Sequence, residues 1–132
     1  MLFRSYLLAR TAYREERYKS TIRDLKRAFE INTRWASEGN AYLLLGSAYY
    51  ETREDELAEQ AISRAAEIGG RSLPLTNYLL GKLYYRQKRY DLAEKSLQRY
   101  ISDPGDSTSL RDASELLARV RVESPAAGAK KN

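Results

Sequence analysis

One phrase returns three times in this chain: Leu8-Ala9-x-x-Ala12-Tyr13, Leu45-Gly46-x-x-Tyr49-Tyr50 and Leu80-Gly81-x-x-Tyr84-Tyr85. Twelve and sixteen residues after each small residue stand Thr21 and Leu25, Ala58 and Ile62, and Ala93 and Leu97. The copies are spaced 37 and 35 residues apart. A fixed period of that length means one helical hairpin used repeatedly, and stacked hairpins of this kind exist to present a surface.

Each copy reads as two helices. Tyr6, Leu7, Leu8 and Ala12 fall at helical spacing, as do Leu43, Leu44, Ala48 and Tyr49, and Leu79, Leu80, Leu83 and Tyr84. A second apolar run follows: Ile22, Leu25, Ala28 and Phe29; Leu57, Ala58, Ala61, Ile62 and Ala65; Leu92, Ala93, Leu97 and Ile101. The runs are separated by short polar stretches at 14–17, 51–54 and 86–89. Helices joined by so short a loop pack antiparallel. The paired small residues let their backbones approach, so a bulky side chain at Gly46 or Ala58 should overpack the contact.

These residues resemble the tetratricopeptide repeat, whose signature is W-x2-L-G-x2-Y, then A-x3-F, then P. The second copy sets Tyr42 in the Trp slot, followed by Leu45, Gly46, Tyr49, Ala58, Ile62, Ala65 and, for the Pro, Gly70. The third gives Leu80, Gly81, Tyr84, Tyr90, Ala93 and Leu97 and ends at Pro104-Gly105. The first departs at Ala9 and Thr21 but keeps Leu8, Tyr18, Leu25 and Ala28. The resemblance implies an all-α fold, a right-handed α-α superhelix of three helix-turn-helix repeats at about residues 2–36, 37–72 and 74–106. An amphipathic helix at about 107–122, with Leu110, Ala113, Leu116, Leu117 and Val120, resembles the capping helix that closes such arrays, and Arg111, Arg119 and Arg121 keep its outside wet. The array thus spans 1–122, and 123–132 reads as a flexible tail. The linker Thr33–Glu38 is longer than the family's and carries the sole Trp, Trp35, expected as a staple between repeats.

In this family the first helix of every repeat lines a concave groove. Transferred by offset from the small residue, the groove-facing slots hold Tyr6, Leu43 and Tyr78, then Arg10, Ser47 and Lys82. Further along they hold Tyr13, Tyr50 and Tyr85, then Arg14, Glu51 and Arg86. The resemblance therefore implies a protein or peptide partner with acidic and apolar side chains, received by a tyrosine ladder with basic groups at both ends. The alternative for the ladder is packing between repeats. The carboxylate-clamp branch of the family needs Lys and Asn where this chain has Tyr6, Arg10 and Leu44, so no such clamp is expected.

Composition narrows the rest. Eleven Tyr stand against two Phe and one Trp, the balance of a surface half core and half contact face. With neither His nor Cys, thiolate and histidine metal sites and histidine acid–base chemistry are excluded. No nucleophile–base pair or phosphate-cradling loop appears, so no enzyme, cofactor or metal is expected. No apolar run reaches the ~20 residues of a spanning helix. No signal peptide is read at Met1-Leu2-Phe3-Arg4, and the expected compartment is the cytoplasm. The first run starts almost at residue 1 with no N-cap residue, as in a piece of a longer protein.

The net charge of +5 is unevenly spread: +4 over residues 1–38, −3 over 39–73, then +2 over each of 74–107 and 108–132. The acidic middle interrupts any continuous basic stripe, which makes nucleic acid the weaker alternative to a protein partner. Glu51, Glu54, Asp55, Glu56 and Glu59 read as a solvated helix start, and Arg23, Lys26 and Arg27 on the second helix of the first copy, with Arg86, Lys88 and Arg89 at the third turn, read as solvated charges, with phosphate contact the alternative. The reading is a non-catalytic interaction module or scaffold. Its alternatives are an RNA-binding helical repeat or, by size and fold only, a secretion or envelope-assembly chaperone.

Overall fold

The computed structural model describes residues 2–31, 38–105 and 109–125. The helices are α1 (Leu2–Arg14), α2 (Tyr18–Ile31), α3 (Glu38–Glu51), α4 (Asp55–Gly69), α5 (Leu75–Arg86), α6 (Tyr90–Ser102) and α7 (Leu110–Glu123), with a 3-10 turn at Gly70–Ser72. No strand occurs among the described residues. Trp35 and most of its linker, together with residues 126–132 of the tail, lie outside them. No helix among the described residues is long and apolar enough to cross a membrane.

Two compact units result, Met1–Leu73 and Pro74–Asn132. In the first, α1 pairs with α2 and α3 with α4, and α2 also packs on α3. In the second, α5 pairs with α6, and α7 lies against α6 and touches α5. The all-α hairpin architecture expected from the period is present.

The three hairpin turns share one construction. Glu16 N–H donates to the Tyr13 carbonyl at 3.0 Å and Arg17 N–H to that of Ala12 at 2.8 Å. The same pair of bonds recurs from Arg53 and Glu54 to Tyr50 and Tyr49, and from Lys88 and Arg89 to Tyr85 and Tyr84. This is a Schellman closure, which needs a left-handed residue just past the helix. Glu16, Arg53 and Lys88 supply it at φ of 60°, 62° and 60°, without a glycine. Because a left-handed L-residue costs about 1–2 kcal/mol and glycine's extra unfolded freedom offsets part of that, Lys88→Gly should raise stability by about 0.5–1 kcal/mol. Urea unfolding checks this, through a higher midpoint at unchanged slope.

Packing inside each hairpin follows the small residues. A Cβ added at Gly46 would run into Ile62, with the Ile62 amide nitrogen at 3.1 Å and the Ala58 carbonyl oxygen at 3.3 Å. Ala9 and Thr21 fill the matching slots of the first hairpin, and both are fully buried. The Thr21 hydroxyl donates to the Arg17 carbonyl at 3.0 Å and also reaches that of Ala9 at 3.4 Å. The polar substitute is thus satisfied, as a buried hydroxyl must be. Tyr42, in the slot where the family has Trp, stacks on Phe29 of α2 at 4.2 Å, while Arg64 of α4 stands 6.0 Å from its centroid.

One apolar position departs from the periodic reading. Leu45 is 6% exposed, but Leu8 in the equivalent slot is 57% exposed. Leu45 belongs to a helix flanked by both α2 and α4, whereas α1 packs on α2 and only the edge of α3.

The core of the second unit joins α6 to α7 through Ala93, Leu97, Tyr100, Ala113, Leu117 and Val120, with Tyr78, Tyr84, Tyr85 and Tyr90 packed around it. The Tyr100 hydroxyl is buried and has no hydrogen-bond partner among the described residues.

Candidate functional site

The first helices bury one side and leave the expected site residues on the other. In α3, Ala41, Leu45, Ala48 and Tyr49 are buried, and helical spacing carries Leu43, Ser47 and Tyr50 to a half-buried flank. In α1, Tyr6, Arg10 and Tyr13 are half-buried and Arg14 is exposed. In α5, Tyr78, Lys82, Tyr85 and Arg86 are half-buried, and the Arg86 Nε is closed off from solvent.

Two of these sets repeat one geometry. The Arg10 guanidinium stands 5.8 Å from the centroid of the Tyr6 ring. The Lys82 ammonium stands 5.3 Å from that of Tyr78. Residues four apart meet on a helix face, so α1 and α5 each carry a ring with a cation over it. Between them in sequence, α3 has Leu43 and Ser47 instead, and the Ser47 hydroxyl donates to the Leu43 carbonyl at 2.8 Å. The Tyr78 ring is also held from below by Tyr100, at 5.5 Å between centroids.

The ladder tyrosines Tyr13 and Tyr85 do different work. Tyr13 meets Tyr18 edge-on at 5.3 Å, and Tyr85 meets Tyr90 edge-on at 6.2 Å, clamping first helix to second in each hairpin. Their hydroxyls point onward to the next first-type helix. Burial pushes the Tyr13 hydroxyl up to about 12, helped by the Glu51 carboxylate and by Tyr18, while a hydrogen bond shared with Ser47 opposes the shift. Tyr85 is raised chiefly by its hydrogen bond to Glu123, then by burial, with Arg119 pulling the other way. Tyr13 with Ser47 and Glu51 therefore matches Tyr85 with Arg119 and Glu123.

That equivalence identifies the residues missing from the expected site. Arg119 and Glu123 lie 72 residues after Ser47 and Glu51, and buried Ala113, Leu117 and Val120 lie 72 after buried Ala41, Leu45 and Ala48. α7 thus has the register of a first helix, and Leu117-Ala118-x-x-Arg121-Val122 is a faint fourth copy of the recurring phrase. Of the arginines expected merely to face water, Arg119 reaches Tyr85 and Arg121 reaches Glu94 of α6 at 3.3 Å. Arg111 pairs within its own helix, with Glu115 at 3.2 Å.

Among the described residues no group of three or more His, Cys, Asp or Glu side chains could hold a metal ion. No curated protein matches the chain. Residues 39–68 and 76–102 match the family model described as tetratricopeptide repeat, which covers nearly all of α3–α4 and of α5–α6. Repeats of this family generally mediate protein–protein interaction. Two of the hairpins, α3–α4 and α5–α6, are thus identified as tetratricopeptide repeats, and the all-helical hairpin architecture around them is that of a tetratricopeptide-like array.

Proposed function

We propose that this chain is a non-catalytic interaction module, each unit of which holds a peptide segment of a partner protein on its own first-helix face. The observation that carries the reading is the pair of ring-and-cation sets, Tyr6 with Arg10 and Tyr78 with Lys82. Both sets remain partly open to solvent on helices whose opposite sides are packed. Tyrosine and arginine are the residue types in which interface energy concentrates, because a rigid ring buries area at little entropic cost. Cations over those rings favour acidic side chains in the occupant, and the rings favour apolar ones. Tyr13 and Tyr85 enter as the clamps that fix the helices, with contact to a partner secondary.

The test separates those roles. An Arg10→Glu/Lys82→Glu variant reverses both charges while leaving the clamps intact. Pull-down from native lysate with this variant should recover the wild-type partners at least about tenfold less well, given the few kcal/mol that hot-spot residues carry. Circular dichroism and thermal unfolding should match the wild type. Equal partner recovery from a folded variant rejects the first-helix faces as the site.

A further inference from the structure

The second helices of the first unit expose one and the same set of slots, with a positive surplus on α2 and an acidic one on α4. Around Thr21, α2 presents Lys19, Ile22, Arg23 and Lys26 to an open depression of about 450 Å³. Around Ala58, α4 presents Glu56, Glu59, Gln60 and Ser63 to one of about 380 Å³. Thr21 and Ala58 occupy equivalent places in their hairpins, so the two depressions are the same feature built twice. Arg27 adds to the basic face and Glu30 stands at its edge. Arg23 touches Asp24 at 3.5 Å, but Arg23 is open to water and Asp24 partly so, and the face keeps a positive surplus.

We propose that these faces dock on each other between two copies of this chain, α2 of one copy lying on α4 of the second. Charge complementarity selects the occupant: where α2 carries Lys19, Arg23 and Lys26, α4 carries Glu56, Gln60 and Ser63 with Glu59 beside them, and of the cations only Arg27 meets a like charge in its equivalent slot, Arg64, which is paired with Glu67 at 3.1 Å. Ile22 gives the basic face an apolar centre, and the uncharged Gln60 and Ser63 offer it a place without stranding a charge. Both faces belong to successive hairpins of a single unit. A two-fold axis therefore sets α2 on the partner copy's α4 and α4 on its α2 together, and the contact closes as a dimer instead of propagating. Such a contact is small and polar, at the weak and transient end of protein interfaces, and screening weakens it.

Sedimentation velocity of the full chain over a range of concentrations tests this. At low salt the wild type should show a concentration-dependent dimer, weakened about tenfold or more in half-molar salt. Lys19→Glu/Arg23→Glu/Lys26→Glu makes both faces acidic, and Glu56→Lys/Glu59→Lys makes both basic; each variant alone should be monomeric. An equimolar mixture of the two should associate again, since each then meets its opposite. A wild type that stays monomeric at low salt, or a mixture that fails to associate, overturns the proposal. So does a basic face whose reversal leaves self-association untouched but abolishes retention on single-stranded RNA or anionic lipid vesicles. None of these substitutions touches the first-helix residues, so failure here leaves the peptide reading standing.

Discussion

Gly46→Leu is expected to lower stability by about 3 kcal/mol, the upper part of the range for overpacking a close helix contact. At Gly46 the obstacle is backbone as well as side chain. The first carbon of any side chain meets Ile62 and lands 3.1 Å from the Ile62 amide nitrogen and 3.3 Å from the Ala58 oxygen. The helices must separate to admit the new side chain, which uncouples the rest of their buried contact. Gly81 supplies the contrast. Its added carbon meets only the Leu97 side chain, at 2.6 and 2.7 Å, and a side chain can shift where a helix backbone cannot. Alanine also recovers about 1 kcal/mol of helix propensity over glycine. Gly81→Ala should therefore stay within about 1 kcal/mol of wild type. Urea unfolding measures both; equal losses at the two positions would show that backbone approach does not govern these hairpins.

Much of this fold was legible because its determinants are local and periodic. Small residues twelve apart, Gly46 with Ala58 and Gly81 with Leu97's neighbour Ala93, announce a helix pair that must come close. The turn chemistry was not legible. A Schellman closure is usually marked by glycine, and here Glu16, Arg53 and Lys88 adopt the left-handed geometry because the antiparallel pairing on either side demands it. Tertiary packing overrode local preference three times at the same place. The fate of Leu8 was hidden for another reason: a slot's residue type reports what could be buried, and only the neighbouring helix decides whether it is.

The candidate site was legible in membership and not in roles. Offset from the recurring small residue delivered Tyr6, Arg10, Tyr78 and Lys82, and the ring-and-cation geometry follows from residues placed four apart on a helix. Nothing in the spacing separates those rings from Tyr13 and Tyr85. The difference arises from what stands opposite: Tyr18 and Tyr90 across the turn, and Ser47 with Glu51 or Arg119 with Glu123 on the next helix. The signal for α7 lay in the offset of 72 residues. It was faint because α7 replaces the tyrosines of the phrase with Arg121 and Val122.

Leu97→Ala should cost about 2–5 kcal/mol, the range for removing a fully buried aliphatic side chain and leaving a void. Leu97 is 0% exposed, and its immediate cluster includes Ala93 and Ala113, which are too short to fill the gap. The large neighbours cannot relax into it easily either. Tyr100 is 1% exposed and held against Tyr78, and Leu117 and Val120 are fixed by the α6–α7 packing. The value should fall toward the upper end, because the cost grows with the cavity that survives relaxation. Ile101→Ala, which removes a residue only partly buried against the same cluster, should cost clearly less. The loss should also be felt selectively in α7. Its hold on the unit consists of Ala113, Leu117 and Val120 in that core, the Tyr85 hydroxyl on Glu123 and Arg119, and the exposed Arg121–Glu94 pair. Exposed ion pairs contribute little, so the core term dominates. Amide hydrogen exchange in the Leu97→Ala variant should accelerate across α7 more than across α3. Wild-type protection of α7 alongside a lowered global stability would mean that the Tyr85 contacts, and not the core, hold this helix in the register of a fourth repeat.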